Sequence, residues 1–503
     1  MLNDSEHRVR RVPRVLLICL DSLIPSAITP EAMPNLVKVM DWGTRFANHR
    51  AVVPSETLVN MASMLTGTKV GEHGIVANQF TDRSITGWPS LNLGVAEEID
   101  AWMERHGRLT PMRTFGEYLH AAGQKLAVVS TCSSGATRMI DPHGRALGNF
   151  SLSCHSPSTS YPEVDVERIR RQFGACPPCC EPDVEAARYA VDVLLDYVVP
   201  VVSPDTAILW VNEPDTSYHA FGTTGPSTTA TLTAVDNELG RVFDWWRRNA
   251  TVECSLFIAS DHGHIDLEPV SPVNSDFEAV FGHLHDESVM PEGLRKRLAR
   301  CSTVYLPTEA RPELHNLTQS LLDKPWVGHV FCAPVGVDGS VPPGTHPISL
   351  IMGAGARTPD VAFTVIAETK KNVQAAVARA DIADLKRGNH GGLESRELEC
   401  LFLAIGPKYP AGTLSYDPST TDGVFRELID AAGLTTGNDG APCGQTRPFE
   451  CTAEIDGRRS VVRGTFDGKY HNIIGGAVEF VPSPQPEFQV TVGEDGRSNR
   501  PVH

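Results

Sequence analysis

Val15-Leu16-Leu17-Ile18-Cys19-Leu20-Asp21 is the stretch that decides the fold. An apolar run without polar alternation describes a strand buried on both faces, and such strands belong to parallel sheets covered by helices on each side. The same grammar recurs along the chain. Strand-like runs at Leu126–Ser130, Ala207–Val211, Ser255–Ser260 and Leu401–Ile405 are interleaved with helical stretches at Met33–Trp42, Leu58–Leu65, Thr114–Ala122, Val184–Val198, Thr229–Asn249 and Val424–Ala432. Gly43, Gly67 and Gly123 stop three of these helices, Asp183 stands where an N-cap would, and Ala51–Pro54 is a further extended run. The expected class is α/β, with a mostly parallel central sheet sandwiched by helices.

Two regions break the rhythm. Residues 133–180 are rich in Ser, Pro, Gly and Cys, so an irregular segment facing the substrate is expected there. Residues 264–388 are too long for a loop and are expected to form an inserted cap subdomain. Within it, Ile348–Ile351 and Ala362–Ile366 read as strands and Asn372–Ala380 as a short helix. The catalytic core is thereby assigned to residues 1–263 and 389–440. Residues 441–503 read as a β-like extension (Ser460–Thr465, Ala477–Val481) with a polar, frayed tail.

The 503 residues carry 44 Lys+Arg against 61 Asp+Glu, a formal charge of −17. That excludes a global basic footprint for nucleic acid or an anionic membrane. A phosphorylated substrate stays accessible, provided a bound cation sits in the site. No run reaches the ~18 apolar residues a membrane span needs. The arginine-rich start (Arg8, Arg10, Arg11, Arg14) precedes an apolar run too short for a signal peptide and lacking a small-residue cleavage site, so a cytoplasmic chain is expected.

The 12 cysteines are too sparse for a disulfide scaffold. Cys19, Cys254 and Cys400 read as small core residues. Cys176-Pro177-Pro178-Cys179-Cys180 could be a structural zinc half-site or a redox pair. No second Cys-x-x-Cys accompanies it, and it is read as an inert surface loop.

Chemistry concentrates where the apolar runs end. Leu20 gives way to Asp21, and Val211 is followed by Asp215 and His219. Ser260 leads into Asp261-His262-Gly263-His264, and Asn389-His390-Gly391-Gly392 precedes the run at Leu401. Ligands of open parallel sheets bind outside the carboxyl ends of the strands, so these side chains are expected on one edge. Helix capping explains a single strand-end Asp; it does not explain three, together with an Asp-x-x-x-His and a His-Gly-Gly. Carboxylate oxygens and imidazole nitrogens suit zinc, with manganese or iron as substitutes, and the candidates divide into two ligand sets.

Pro54-Ser55-Glu56-Thr57-Leu58-Val59-Asn60 runs from extended chain into a helix, where free N–H groups and the helix dipole favour an oxyanion. Ser55 is the better cap by position, which leaves the Thr57 hydroxyl free to act as a nucleophile once a metal lowers its pKa. Asn60, on the same helical face, is expected to reach a phosphoryl oxygen.

Together these residues resemble the alkaline phosphatase superfamily, and within it the type I phosphodiesterase/nucleotide pyrophosphatase and phosphonoacetate hydrolase branch. The resemblance rests on Asp21, Met33-Pro34-Asn35-Leu36, Thr57 with Asn60, Leu65-Thr66-Gly67, His73-Gly74-Ile75 and Asn78. It continues, in order, through Pro214-Asp215-Thr216-Ser217-Tyr218-His219-Ala220-Phe221-Gly222, Ser260-Asp261-His262-Gly263 and His390-Gly391-Gly392. It implies two zinc ions. One would be held by Asp215, His219 and His390, the other by Asp21, Asp261 and His262 with the Thr57 oxygen as fourth ligand. It also implies that Thr57 attacks phosphorus to form a phosphothreonine, that the leaving group departs toward the first zinc, and that this zinc supplies hydroxide for hydrolysis. Asn60 and the Thr57 N–H would stabilise the equatorial oxygens.

A threonine nucleophile sets the chain apart from sulfatases, which need a Cys/Ser-x-Pro/Ala-x-Arg motif, and from the serine-dependent phosphatases and mutases. The expected substrate is a small-molecule phosphodiester, nucleotide-type or related. The alternative is a phosphonoacetate-type C–P bond cleaved on the same core. The phosphonoacetate pattern would place lysines after Leu126–Ser130, where this chain has Arg138; the nucleotide pattern would place an aromatic after the nucleophile, where it has Leu58. A non-catalytic binding protein fits a complete donor set less well, and a homodimer is compatible with the sequence. His73 reads as structural, His264 and His346 as surface or cap histidines, and Lys408 as a solvated turn charge.

Overall fold

The computed structural model describes residues 12–268, 273–281, 295–335, 338–369, 376–379, 386–436 and 446–480. The arginine-rich start before residue 12 and the tail beyond residue 480 lie outside the described residues. At the centre is an eight-stranded sheet. Its strands are β1 (Val15–Leu20), β2 (Thr44–Phe46), β3 (Leu126–Ser130), β4 (Phe150–Ser153), β5 (Thr206–Val211), β6 (Ser255–Ala259), β7 (Phe402–Ile405) and β8 (Thr413–Ser415). They lie in the order β8-β2-β7-β6-β1-β5-β3-β4, and β6 through β4 all run parallel. The expected class holds, with one departure: β7 is antiparallel to both of its neighbours.

Both faces of β1 are buried, and its side chains alternate between two cores. Leu17 and Cys19 join α1 (Thr57–Thr66) and the late helix Thr421–Ala431, whereas Leu16, Ile18 and Leu20 pack with Val184–Val193 and Pro226–Asn249. Apolar faces on both sides of a sheet demand a helical layer on each, which is why the run contained no polar residue.

The region 133–180 is more ordered than its composition suggests. It holds the helix Ser134–Ile140, the edge strand β4 and the helix Glu163–Phe173. The last of these buries only Ile169, so its sequence carries almost no apolar stripe to read. Asp183 does not cap the helix Val184–Val193 through its side chain; its carboxylate faces His155 instead. That helix continues in π form through Val202.

The insertion contains a five-stranded sheet in the order Arg295–Arg297, Cys301–Tyr305, Val361–Val365, Val327–Cys332, His346–Pro347. The helix Leu314–Leu322 covers it through Leu317 and Leu321, over Val330 and Phe363. Two short expectations fail here. Residues around Ile348–Ile351 turn as the helix Ser349–Met352, and Ala376–Arg379 is a strand; short apolar runs do not distinguish the two forms. The rest of the expected helix Asn372–Ala380 lies outside the described residues.

Near the C-terminus, Arg447–Ile455, Arg458–Phe466 and His471–Phe480 form an antiparallel three-stranded sheet. It docks on the inserted sheet through Ser460, whose Oγ lies 2.8 Å from both His329 Nδ1 and His346 Nε2. His346 is thus a buried docking residue and not an exposed one. Among the described residues, no helix is long and apolar enough to cross a membrane.

Candidate active site

The edge where the parallel strands exit gathers the chemistry. Asp21 follows β1 and donates its N–H to Val211 O at 2.9 Å, while the Asp215 N–H reaches Asp21 O at 3.2 Å. β7 arrives at this edge because it runs backwards: its first residue, Phe402, pairs with Ala259, the last of β6. The His390 loop just before it therefore lands beside the strand ends. A buried, bidentate ion pair fixes that loop, with Arg300 Nε and Nη2 donating to Glu397 Oε1 and Oε2 at 2.9 and 2.8 Å. Glu397 also accepts the Gly392 N–H at 2.9 Å. A side chain at Gly392 would strike this carboxylate at 2.5 Å, and Gly391 sits at φ +120, so the Gly-Gly pair is a steric requirement.

Two hubs result. Asp215 is the first: its Oδ2 lies 3.4 Å from His219 Nε2, and its Oδ1 lies 3.5 Å from both His390 Nε2 and His264 Nδ1. His262 Nε2 is the second, 3.4 Å from Asp21 Oδ1, 3.4 Å from Asp261 Oδ2 and 3.0 Å from Thr57 Oγ1. The rings of His262 and His390 stack at 3.8 Å and join the hubs. Asp21, Asp261 and His262 bring donor atoms within 4.8 Å of one another, as do Asp215, His219 and His264, and Asp215, His262 and His390.

The tautomers show what the donors face. His219 Nδ1 donates to Gly388 O, His390 Nδ1 to Ser55 O and His262 Nδ1 to Gly263 O, at 2.8–2.9 Å. A carbonyl only accepts, so each proton sits on Nδ1 and each Nε2 turns a lone pair toward carboxylate oxygen. Asp21 Oδ1, Asp215 Oδ1 and Asp261 Oδ2 are buried with no hydrogen-bond partner among the described residues. Lone pair against lone pair is repulsive, and a cation between them converts repulsion to ligation. Burial, then repulsion from Asp261 and Asp215, pushes the Asp21 carboxyl well above its ordinary range. Burial likewise lowers His219 and His390, keeping these imidazoles neutral and able to ligate. Oxygen and nitrogen donors in this number fit divalent zinc, manganese or iron.

Thr57 is the one residue of Ala51–Asn60 that is not buried. It is the first residue of α1, and Glu56, not Ser55, occupies the cap position. Ser55 Oγ instead donates to Gly392 O at 3.0 Å and accepts the Gly391 N–H at 3.1 Å, pinning the His390 loop. The expectation for Asn60 is corrected. It is fully buried; its Oδ1 accepts from Val52 N and Thr421 Oγ1, and its Nδ2 donates to Pro54 O and Glu56 O. An amide so committed shapes the turn into α1 and does not reach the cluster.

Asn78, part of the family pattern, stands beside Thr57. Its Oδ1 accepts the Leu58 N–H at 3.0 Å, and its own N–H donates to Glu56 Oε2 at 2.5 Å. His264 is also corrected, from a surface or cap residue to a fully buried member of the Asp215 hub. Its Nδ1 lies 2.8 Å from Ser22 Oγ. The adjacency to Asp261-His262 was visible in the sequence; the direction of its side chain was not. His73 is structural, held by Ser63 Oγ and Ile75 N, and Lys408 is exposed beside Asp430. Arg138 is spent on Asp100 and Thr159 O.

A mostly parallel sheet whose exit edge gathers carboxylates and imidazoles beside a helix-start hydroxyl defines the alkaline phosphatase class. The chain belongs to the type I phosphodiesterase/nucleotide pyrophosphatase family, whose pattern matches residues 15–299, more than half of it. It is similar to the venom phosphodiesterase of Naja atra, 26% identical over 234 residues, and to venom phosphodiesterase 2 of Crotalus adamanteus, 24% over 233. Each match covers 46% of this chain but only 23% and 24% of the relative, so the chain spans about a quarter of the length of the curated relatives it matches. An inactive threonine-to-alanine variant of murine ectonucleotide pyrophosphatase/phosphodiesterase 5, in complex with AMP, has a similar structure. It superposes with a TM-score of 0.57 at 15% identity, covering 84% of this chain and 96% of that one. The human counterpart gives 0.56 at 15% identity, with 84% and 95% covered.

Proposed function

We propose that the protein is a metal-dependent hydrolase of small phosphodiesters, nucleotide-type or related, with Thr57 as nucleophile. The observation that carries this reading is the facing of the His262 and His390 Nε2 lone pairs against orphaned carboxylate oxygens, with His219 Nε2 beside the other oxygen of Asp215 and Thr57 carrying the one hydroxyl of its stretch that is not buried. Asp21, Asp261, His262 and Thr57 would hold one divalent ion and Asp215, His219 and His390 a second, with His264 against Asp215. When bound, such ions supply Lewis acidity and lower the pKa of a coordinated hydroxyl.

The residues of the chain do the rest. The Thr57 Oγ1 lies 3.0 Å from His262 Nε2, which puts the nucleophile at the same corner of the site as the donors that would hold the ion. Attack forms a Thr57 Oγ1–P bond as the bond from phosphorus to the leaving oxygen breaks; water then cleaves the phosphothreonine and returns the hydroxyl. Asn78 fixes its Oδ1 on the Leu58 N–H, which turns its Nδ2 to the side from which a phosphoryl oxygen would accept it. A phosphonoacetate substrate is less well served, because Arg138 is occupied and buried.

The test is a panel of bis-p-nitrophenyl phosphate, dinucleotides, phosphomonoesters and phosphonoacetate, run with zinc and with manganese. Diester cleavage is expected, and Thr57→Ala should keep its metal while losing nearly all turnover. Turnover like the wild type in that variant, or acetate release from phosphonoacetate without diester cleavage, overturns the reading.

A further inference from the structure

A second donor cluster lies outside this site. Cys154 and His155 follow directly where β4 leaves the sheet, and Asp183 immediately precedes the helix Val184–Val193. Between them, after the helix Glu163–Phe173, the chain passes back through Cys176-Pro177-Pro178-Cys179-Cys180. Two segments separated by the helix Glu163–Phe173 thereby place an imidazole of His155, the thiol of Cys179 and a carboxylate oxygen of Asp183 within 4.8 Å of one another. The sequence motif alone lacked a second ligand pair; the fold supplies one from residues that no Cys-x-x-Cys pattern includes.

The cluster is built, not merely crowded. The Asp183 side chain has no exposed surface. Its Oδ2 meets His155 Nε2 at 2.6 Å, but its Oδ1 and the His155 Nδ1 are buried without a hydrogen-bond partner among the described residues. An unsatisfied carboxylate oxygen in a dry place is costly unless a cation joins it. Cys176, three residues before Cys179, is a further, half-buried thiol on the same segment.

We propose that His155, Cys179 and Asp183 form a structural zinc site separate from the strand-edge hubs, with the thiol of Cys176 on the same loop as the fourth ligand. A Cys-x-x-Cys pair with one imidazole and one carboxylate supplies the closed, four-coordinate sulfur, nitrogen and oxygen set that zinc accepts. The site is mechanically linked to the active edge. The Asp183 N–H donates to Glu213 Oε1 at 2.7 Å, Glu213 Oε2 accepts the Ser217 N–H at 3.2 Å, and Ser217 lies in the helix Asp215–Phe221 that carries Asp215 and His219. Zinc there anchors residues 174–183 against the base of that helix.

The experiment uses the full chain with cobalt in place of zinc, because cobalt bound to thiolate gives a sulfur-to-metal charge-transfer band in the near ultraviolet. The band is expected in the wild type, in Thr57→Ala and in Asp261→Asn, and should vanish in Cys176→Ser/Cys179→Ser. The zinc content of that double variant should fall by one equivalent per chain. This difference stands whether or not the strand-edge hubs bind metal, so the two readings fail separately. Cys132, with its thiol 3.8 Å from Asp21, is the control, and Cys132→Ser should keep the band.

A second measurement needs no variant. In the wild type, zinc should protect Cys176 and Cys179 from alkylation, as mapped on peptides. Absence of the band, equal alkylation with and without zinc, or a disulfide through Cys176 in protein purified under reducing conditions would each overturn the proposal.

Discussion

Asn78 and Asn60 are the same residue type, close to the same hydroxyl, with opposite fates. All of Asn60's hydrogen-bonding capacity is consumed by Val52, Pro54, Glu56 and Thr421. Asn78 commits its oxygen to Leu58 and keeps its amide hydrogens. Asn78→Ala should therefore lower kcat by about 10²–10³, the range seen on removing one oxyanion donor, with little change in KM; steady-state kinetics on a p-nitrophenyl diester would read this, and an unchanged kcat would remove Asn78 from the site.

A second residue-scale effect concerns stability. Asp141 is buried, with Asn149 Nδ2 at 2.7 Å from its Oδ2, and burial pushes its pKa up to about 7. The folded value exceeds the unfolded value of about 3.9. The contribution to stability is then full below about pH 4 and is lost as pH rises through about 7. The loss is on the order of 4 kcal/mol. Asp141→Asn should flatten the fall of Tm between about pH 4 and about pH 7. Parallel curves for the two proteins would show that the carboxyl does not titrate in this window.

At the scale of elements, β7 and the turn into α1 decide how the site assembles. The ion pair of Arg300 with Glu397 joins the insertion to the loop that carries His390, with both side chains buried. Arg300→Met would leave the Glu397 charge uncompensated, and a loss of about 3–5 kcal/mol is expected in urea unfolding. A change below about 1 kcal/mol would show that water or another cation takes over. These elements also mark the limit of what the sequence discloses. β1 was legible to the residue because a strand buried on both faces leaves a pure apolar run. Asp21, Asp215, Asp261 and His262 were legible because strand ends converge whatever the details. The direction of β7 was not, since four apolar residues read alike in either sense, and the side chains of Asn60 and His264 are oriented in part by Thr421 and Ser22, hundreds of positions away.

For the whole molecule, three buried, unpartnered carboxylate oxygens on one edge in a chain of charge −17 should make stability respond to a bound cation, if the proposed sites are filled. Chelation should lower Tm, and restoring zinc at a hundredfold excess over Kd should return about 2.7 kcal/mol per site by mass action. A Tm indifferent to chelator would argue that neither hub binds metal. The docking of the C-terminal sheet through His329, His346 and Ser460 was invisible at the level of pattern, because polar residues that pair across the molecule look like surface residues in one dimension.

The reversed course of β7 has a consequence for how this fold diversifies. A polypeptide that departs after Ala259 and comes home at Phe402 re-enters beside its own point of departure. Topologically, everything between is a single excursion whose two feet share one footing, and lengthening it adds only a slowly growing closure entropy. Asp261, His262, His264 and His390 sit just inside the two feet, and Ile265 pairs with Asn389, so the donor rim stays fixed if an exchange between relatives is confined to the stretch from Ile265 to Asn389.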